Sequence, residues 1–184
     1  MRRRTLIATS LMGILMSESA DAQANLDPAN TVYMDLKDGR VVIELRVDLA
    51  PGHVAQVKEL IAKKFYDNTP FHRVIEGFMA QGGDPTGTGT GGSDLPNLKA
   101  EFTNKAKFLR GTVGAARSGD PNSANSQFYI MFAPSPHLDG QYTIWGRVVQ
   151  GMEFIDKIKR GAGGNGQVQT PDRILKMRLA SDPQ

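Results

Sequence analysis

Apolar and polar positions alternate through residues 30–37 (NTVYMDLK), placing Val32, Met34 and Leu36 on one face. Period-two alternation predicts a half-buried strand. Asp38-Gly39 follows, then the run Val41-Val42-Ile43-Glu44-Leu45. Two such runs joined by Asp-Gly predict a β-hairpin. At Ala50-Pro51 the period changes. Val54, Val57, Ile61 and Phe65 recur at helical spacing, and proline suits a helix's first turn. A helix is therefore predicted from there, with these four residues facing the core, and Asp67-Asn68-Thr69-Pro70 ends it. Residues 71–82 read as two strand pieces around Glu76-Gly77, and 84–92 as a glycine-rich loop. Further strands are predicted at 112–116, 126–132, 143–149 and 174–179, with a loop over 117–125. Met152, Ile155 and Ile158 mark a short helix over 152–159. Seven or eight strands and two helices, without regular alternation, favour an antiparallel barrel over a parallel sheet. No internal repeat or long linker breaks the pattern.

The N-terminus has a different layout. Arg2, Arg3 and Arg4 precede a short apolar run, residues 5–16, and a polar stretch ending Ala22-Gln23-Ala24. Positive, apolar and small-residue regions in that order make a secretory signal. The apolar run is too short to span a bilayer as a helix. The expectation is a signal peptide over 1–24 and one mature domain over 25–184, beginning at Asn25. The mature protein is then exported, into the periplasm where the bacterium has two membranes. The arginine run also resembles a twin-arginine signal, so the export route stays open.

Composition narrows the function. Hydrophobic residues make up 40% and charged residues 22%, ordinary for a globular domain. The first 24 residues hold three of the 22 basic and two of the 19 acidic side chains, so the rest carries 19 and 17, a net of +2. That is too weak a footprint for nucleic-acid binding. Cysteine is absent, which excludes disulfides, thiolate catalysis and thiolate metal sites.

Several familiar patterns fail on context. Residues 87–92 and 161–166 both match G-x-G-x-x-G. A dinucleotide loop needs a strand before it and a helix after it, and neither site has both; both read as plain loops. His53, His72 and His137 share no metal-ligand spacing. His72, Asp84 and Ser126 make a paper triad, but no serine sits in G-x-S-x-G.

Residues 71–84 (FHRVIEGFMAQGGD) closely resemble the signature stretch of cyclophilins. Residues 122–130 (NSANSQFYI) resemble the family's second signature; His137-Leu138-Asp139-Gly140 and Trp145-Gly146-Arg147-Val148 resemble its third. The resemblance runs from about Thr31 to Leu179. It implies a mainly β fold, an eight-stranded antiparallel closed barrel capped by two α-helices. It also implies peptidyl-prolyl cis-trans isomerase activity on proline-containing unfolded or flexible polypeptides, with no cofactor and no metal. By matching position, Arg73, Phe78 and Gln81 carry catalysis. Met79, Ala116, Arg117, Gln127, Tyr129, His137, Leu138 and Tyr142 bind substrate. No nucleic-acid partner is expected, no membrane attachment after signal cleavage, and a monomer.

Those residue types suit the chemistry. An X-Pro bond rotates over a barrier of about 18–20 kcal/mol because the amide is conjugated. Nothing is cleaved, so neither nucleophile nor metal is needed. The twisted transition state has a pyramidal nitrogen with a basic lone pair. A donor aimed at that nitrogen stabilises only the twisted form. On this resemblance Arg73 is expected to be that donor, and strand geometry points it with Phe71 and Ile75, away from His72 and Val74. Phe78, Met79, Tyr129 and Leu138 form an apolar seat for the proline ring. Gln81 and Gln127 hold Arg73 or the substrate carbonyl, and the Ala116-Arg117 backbone pairs with an extended peptide. Phe128 and Trp145 read as core packing.

The chain also departs from the family. His137 stands where eukaryotic cyclophilins usually carry a tryptophan that contacts cyclosporin, which implies weak cyclosporin inhibition. Ala115 replaces a common methionine and Arg117 a common asparagine, so the preference for the residue before proline is open. A proline-peptide-binding chaperone or scaffold with little turnover is the alternative role.

Overall fold

The computed structural model describes residues 26–183; the predicted signal peptide lies outside them. Eight strands form one sheet: β1 (Thr31–Leu36), β2 (Gly39–Leu45), β3 (Arg73–Ile75), β4 (Met79–Gly82), β5 (Thr112–Ala115), β6 (Phe128–Met131), β7 (Ile144–Gln150) and β8 (Lys176–Leu179). Two helices, α1 (Pro51–Ala62) and α2 (Met152–Ile155), accompany short 3-10 turns at Pro28–Asn30 and Pro136–Leu138. The strand order is β3-β4-β6-β5-β7-β2-β1-β8, and every ladder is antiparallel.

The sheet curls into a half-barrel, and its ladder is open where a closed barrel was expected: β3 and β8 do not pair with each other. An irregular strip fills the gap. Asn68 and Phe71 donate to the carbonyls of Ile174 and Asp172, and Val168 donates to that of His72. These bonds satisfy edge groups that a ladder would otherwise have taken.

Local chemistry shifts several predicted boundaries. The first hairpin turns on Lys37-Asp38, with Gly39 already paired to Leu36. A Cβ on Gly39 would run into the Phe154 ring of α2, and its φ of +152 also disfavours a side chain, so the glycine serves packing as well as the turn. α1 ends in a Schellman motif: Phe65 N–H donates to Leu60 and Lys64 N–H to Ile61, with Lys64 at φ 56. Phe65 therefore lies beyond the helix and is only partly buried. α2 stops at Ile155, because Lys157 and Ile158 bond three residues back, to Phe154 and Ile155.

Burial divides the apolar side chains in two. The main core gathers Val32, Met34, Ile43, Val113, Phe128 and Ile130 with Val54, Val57, Leu60 and Ile61 of α1. Trp145 meets Phe128 edge-on at 5.8 Å. A second cluster, Met79, Phe108, Tyr129, Met131, Leu138 and Ile144, covers the opposite face of the sheet. β5 and β6 are thus buried on both faces. None of the described helices is long and apolar enough to cross a membrane.

Candidate functional site

Antiparallel register builds the site. Arg73 of β3 pairs with Gln81 of β4, Gln81 with Tyr129 of β6, and Tyr129 with Gly114 of β5. Because side chains alternate, these four positions share the outer face as one row across four strands. One row further along, Ile75 pairs with Met79 and Met79 with Met131. Phe71, expected beside Arg73, instead joins the main core with Val74. β3 begins only at Arg73, so strict alternation does not reach back to Phe71, and His72 lines the cleft beside Arg73.

Hydrogen bonds fix the polar part of the row. Arg73 Nη1 donates to Gln81 Oε1 at 3.0 Å, and Arg73 Nε to the Asn165 carbonyl at 2.9 Å. A guanidinium only donates, which sets the Gln81 amide: its oxygen faces Arg73 and its nitrogen donates to Gln127 Oε1 at 2.9 Å. Gln127 Nε2 then reaches the carbonyls of Gly89 and Gly91 at 3.0 and 2.8 Å. Among the described residues Arg73 Nη2 has no partner.

Asp84 organises the glycine loop that receives Gln127. Its carboxylate accepts from Thr86 N and Oγ1 and from the N–H groups of Gly89 and Gly91. Burial pushes its pKa up, but those donors outweigh burial and hold it below the usual value. Ser126 donates to the Gly83 carbonyl at 2.8 Å, and both His72 ring nitrogens are buried without a partner. The three do not form a triad. His53 is tied to Glu101, with Nδ1 2.6 Å from Oε2.

A cleft of about 530 Å³ lies over the row. Ten of the eleven predicted site residues line it: Arg73, Gln81, Phe78, Met79, Tyr129, Leu138, Tyr142, His137, Ala116 and Arg117. Gln127 backs Gln81 and lines an adjoining cleft. Phe78 lies 5.7 Å from His137, and Tyr142 meets Tyr129 edge-on at 6.0 Å. The result is an apolar seat with the guanidinium groups of Arg73 and Arg117 at its edge. Among the described residues it holds hydrogen-bond donors and no activated nucleophile.

A profile described as Cyclophilin type peptidyl-prolyl cis-trans isomerase/CLD matches residues 31–179. The chain belongs to the cyclophilin family. A "Probable peptidyl-prolyl cis-trans isomerase" of Brucella suis is 50% identical over 192 residues, covering 98% of this chain and 97% of that protein. The cypE isomerase of Dictyostelium discoideum is 40% identical, covering 79% and 95%. Among solved structures, the Hirschia baltica cyclophilin AquaCyp293 aligns with a TM-score of 0.76 at 28% identity, covering 86% of this chain and 77% of that one. A Cryptosporidium parvum cyclophilin crystallised in the presence of the dipeptide Ala-Pro aligns with a TM-score of 0.76 at 30% identity, covering 83% and 99%.

Two features of this cyclophilin were not visible in the residue pattern. Asn165, in the glycine-rich stretch read as a plain loop, holds Arg73 through its backbone carbonyl. Arg117 turns its donors to its own protein: Nε and Nη2 to the Gln141 carbonyl and Nη1 to that of Ser118. Its guanidinium stacks 4.3 Å over Tyr142, joining the two loops that wall the seat. Ala116 N–H is occupied by the Gln127 carbonyl at 2.9 Å, so it is not free to pair with an added peptide strand.

Proposed function

We propose that Arg73 is the catalytic donor of this peptidyl-prolyl isomerase, stabilising the twisted amide of an X-Pro bond whose ring sits against Phe78, Met79, Tyr129 and Leu138. One observation carries this reading. Nε and Nη1 are both held, by Asn165 and Gln81, so the guanidinium is oriented before substrate arrives and Nη2 remains for the prolyl nitrogen. A pre-oriented donor in a partly dry site needs little reorganisation at the transition state. Guanidinium also stays charged at any working pH. The chemistry requires a hydrogen bond rather than proton transfer, so arginine suits it better than histidine.

Substrates on this reading are proline-containing segments of unfolded or flexible polypeptides. The Ala-Pro dipeptide used with the Cryptosporidium relative supports that class. Arg73→Ala is expected to slow cis-trans exchange of a short X-Pro peptide by about 10²–10³-fold, the cost of losing one transition-state donor. Arg73→Lys should recover little, because one ammonium cannot meet Gln81, Asn165 and the substrate together. Retained activity in Arg73→Ala would remove Arg73 from the mechanism. A folded native protein that binds proline peptides without turning them over would replace catalysis with a chaperone or scaffold role.

Export is the second part of the proposal. The order of Arg2-Arg3-Arg4, apolar run and Ala22-Gln23-Ala24 supports signal cleavage, with the periplasm as destination in a two-membrane cell. N-terminal sequencing of exported protein should begin at Asn25; a mature pool starting at Met1 would refute cleavage.

A further inference from the structure

Asn165 is the only asparagine in the chain that is followed by glycine. A side chain on the following residue crowds its amide nitrogen away from the asparagine Cγ, and glycine has none. Asn122 and Asn125 are each followed by serine, and both are tethered. Asn122 Oδ1 accepts from Ala100 N. Asn125 Oδ1 accepts from Ser93 N and Oγ, while its Nδ2 donates to the Leu95 carbonyl. Asn165 is exposed, and among the described residues its Nδ2 has no partner. Its Oδ1 accepts a single 3.3 Å bond, from Gln167 N. The Gly166 N–H is loosely held too, 3.4 Å from the Gly163 carbonyl.

That 3.3 Å bond favours attack by Gly166 N on Asn165 Cγ. The attack puts negative charge on Oδ1, which Gln167 N–H already faces, and a donor aimed at a developing oxyanion lowers the barrier. The steps balance with water alone. Gly166 N loses its proton and bonds to Cγ. The Cγ–Nδ2 bond breaks, and Nδ2 takes up a proton and leaves as ammonia. A five-membered succinimide results, and water opens it at one of two carbonyls. Opening at Cγ gives aspartate on an unchanged backbone. Opening at the backbone carbonyl gives isoaspartate: the chain then runs through Cγ, and the former backbone carbonyl becomes a free carboxylate.

That carbonyl is the one that holds Arg73 Nε at 2.9 Å. Nε and Nη2 lie on one side of a guanidinium and together form a fork for a carboxylate. Arg40 and Arg46 use it here, meeting both oxygens of Asp35 and of Asp48 through Nε and Nη2. A carboxylate at residue 165 offers its second oxygen to Arg73 Nη2, the donor otherwise left for substrate.

We propose that Asn165-Gly166 is a site of spontaneous deamidation, and that its isoaspartyl product switches the isomerase off by closing the Arg73 fork. The modification needs only residues 165–167; the switch rests on Arg73 being the catalytic donor.

The test ages the purified protein at mildly alkaline pH, which favours the deprotonated amide. Peptide mapping follows Asn165, Asn122 and Asn125, and exchange of a short X-Pro peptide follows activity. Isoaspartate should accumulate at 165 ahead of the other two, with activity lost in proportion. The isoaspartyl form, separated by ion exchange, should be slower by about 10²-fold, through kcat. Asn165→Asp carries the same charge on an unchanged backbone, and its kcat should stay well above that of the isoaspartyl form. Asn165→Gln must close a larger ring, so it should hold its own starting rate through the same ageing. An Asn165 that survives ageing intact overturns the site. An isoaspartyl form as fast as native, an Asn165→Asp as slow as the isoaspartyl form, or equal loss in Asn165→Gln overturns the switch. Failure of the isomerase reading is distinct: Arg73→Ala would then keep full exchange, and peptide mapping would still decide the modification.

Discussion

Adding one methyl group at Gly114 probes how tightly the prolyl seat is built. Gly114 faces the second apolar cluster, where a Cβ would stand 2.7 Å from Phe108 Cε1 and Tyr129 Cζ, and 2.8 Å from Tyr129 Oη. Ordinary contacts begin near 3.4 Å, so the rings must yield by about 0.7 Å. The backbone offers no resistance of its own, since Gly114 is not among the positive-φ glycines. Retreat is blocked on most sides. Phe108 and Tyr129 are stacked at 5.8 Å, only 1% and 6% exposed, and Tyr142 stands edge-on to Tyr129. The one open direction for Tyr129 is the cleft. Overpacking costs about 1–3 kcal/mol and removing a strand glycine returns about 0.5–1, so Gly114→Ala should lose roughly 0–2.5 kcal/mol of stability. Activity should fall through KM, because Tyr129 enters the seat while Gln81 and Asn165 still hold Arg73. Denaturant unfolding and exchange kinetics measure both effects. A Tyr129→Leu background frees the space, so the two substitutions should couple by about 1 kcal/mol in a double-mutant cycle. Strict additivity, or native KM in Gly114→Ala, would refute the reasoning.

Two further outcomes follow from buried polar groups. Tyr129 Oη is buried without a partner, and burial pushes its pKa up. Tyr129→Phe removes no hydrogen bond, so thermal unfolding should show equal or slightly greater stability; a loss above about 1 kcal/mol would reveal a partner. Burial beneath the glycine loop holds the His72 pKa below 6.5; the Asp84 charge opposes that shift and Arg73 adds to it. With the folded-state pKa depressed, the unfolded chain takes the proton first. The contribution is therefore full above about pH 6.5 and lost as pH falls toward the folded value. Melting temperatures of His72→Gln between about pH 7.5 and 5 should decline less steeply than native; parallel curves would show that folding leaves the His72 pKa unshifted.

How far the fold was legible depended on how each element is buried. β1 has a face that period-two alternation marks clearly, and α1 has one helical stripe; β2 blurs its alternation by burying Val41, Val42 and Ile43 in succession. β5 and β6 are buried on both faces, so alternation vanishes and their limits shifted to Thr112–Ala115 and Phe128–Met131. Phe65 kept a helical spacing without being helical, because a Schellman bond returns it to Leu60. Closure was hidden more deeply. The strip facing β3 pairs through isolated carbonyls rather than a ladder, so it has no period to read.

The site divides along the same line. Side-chain placement was readable: ten of eleven expected residues surround one cleft, because long motifs specify side chains and register then aligns them. Backbone roles were not. Every residue carries a carbonyl, so nothing marks the one at Asn165 that orients Arg73. What could have been read is the requirement around it. In the tight turn of residues 161–167, Gly166 tolerates no Cβ because it presses against Val74 and Ile75 of β3, and Gly161 tolerates none because it faces Gly166. Set aside as a failed phosphate motif, that glycine pattern still recorded a close backbone approach. The partner being approached was the strand that carries Arg73. Glycine spacing thus marked where the chain comes close, while only the fold showed to what, which is why the arginine was legible in the sequence and its support was not.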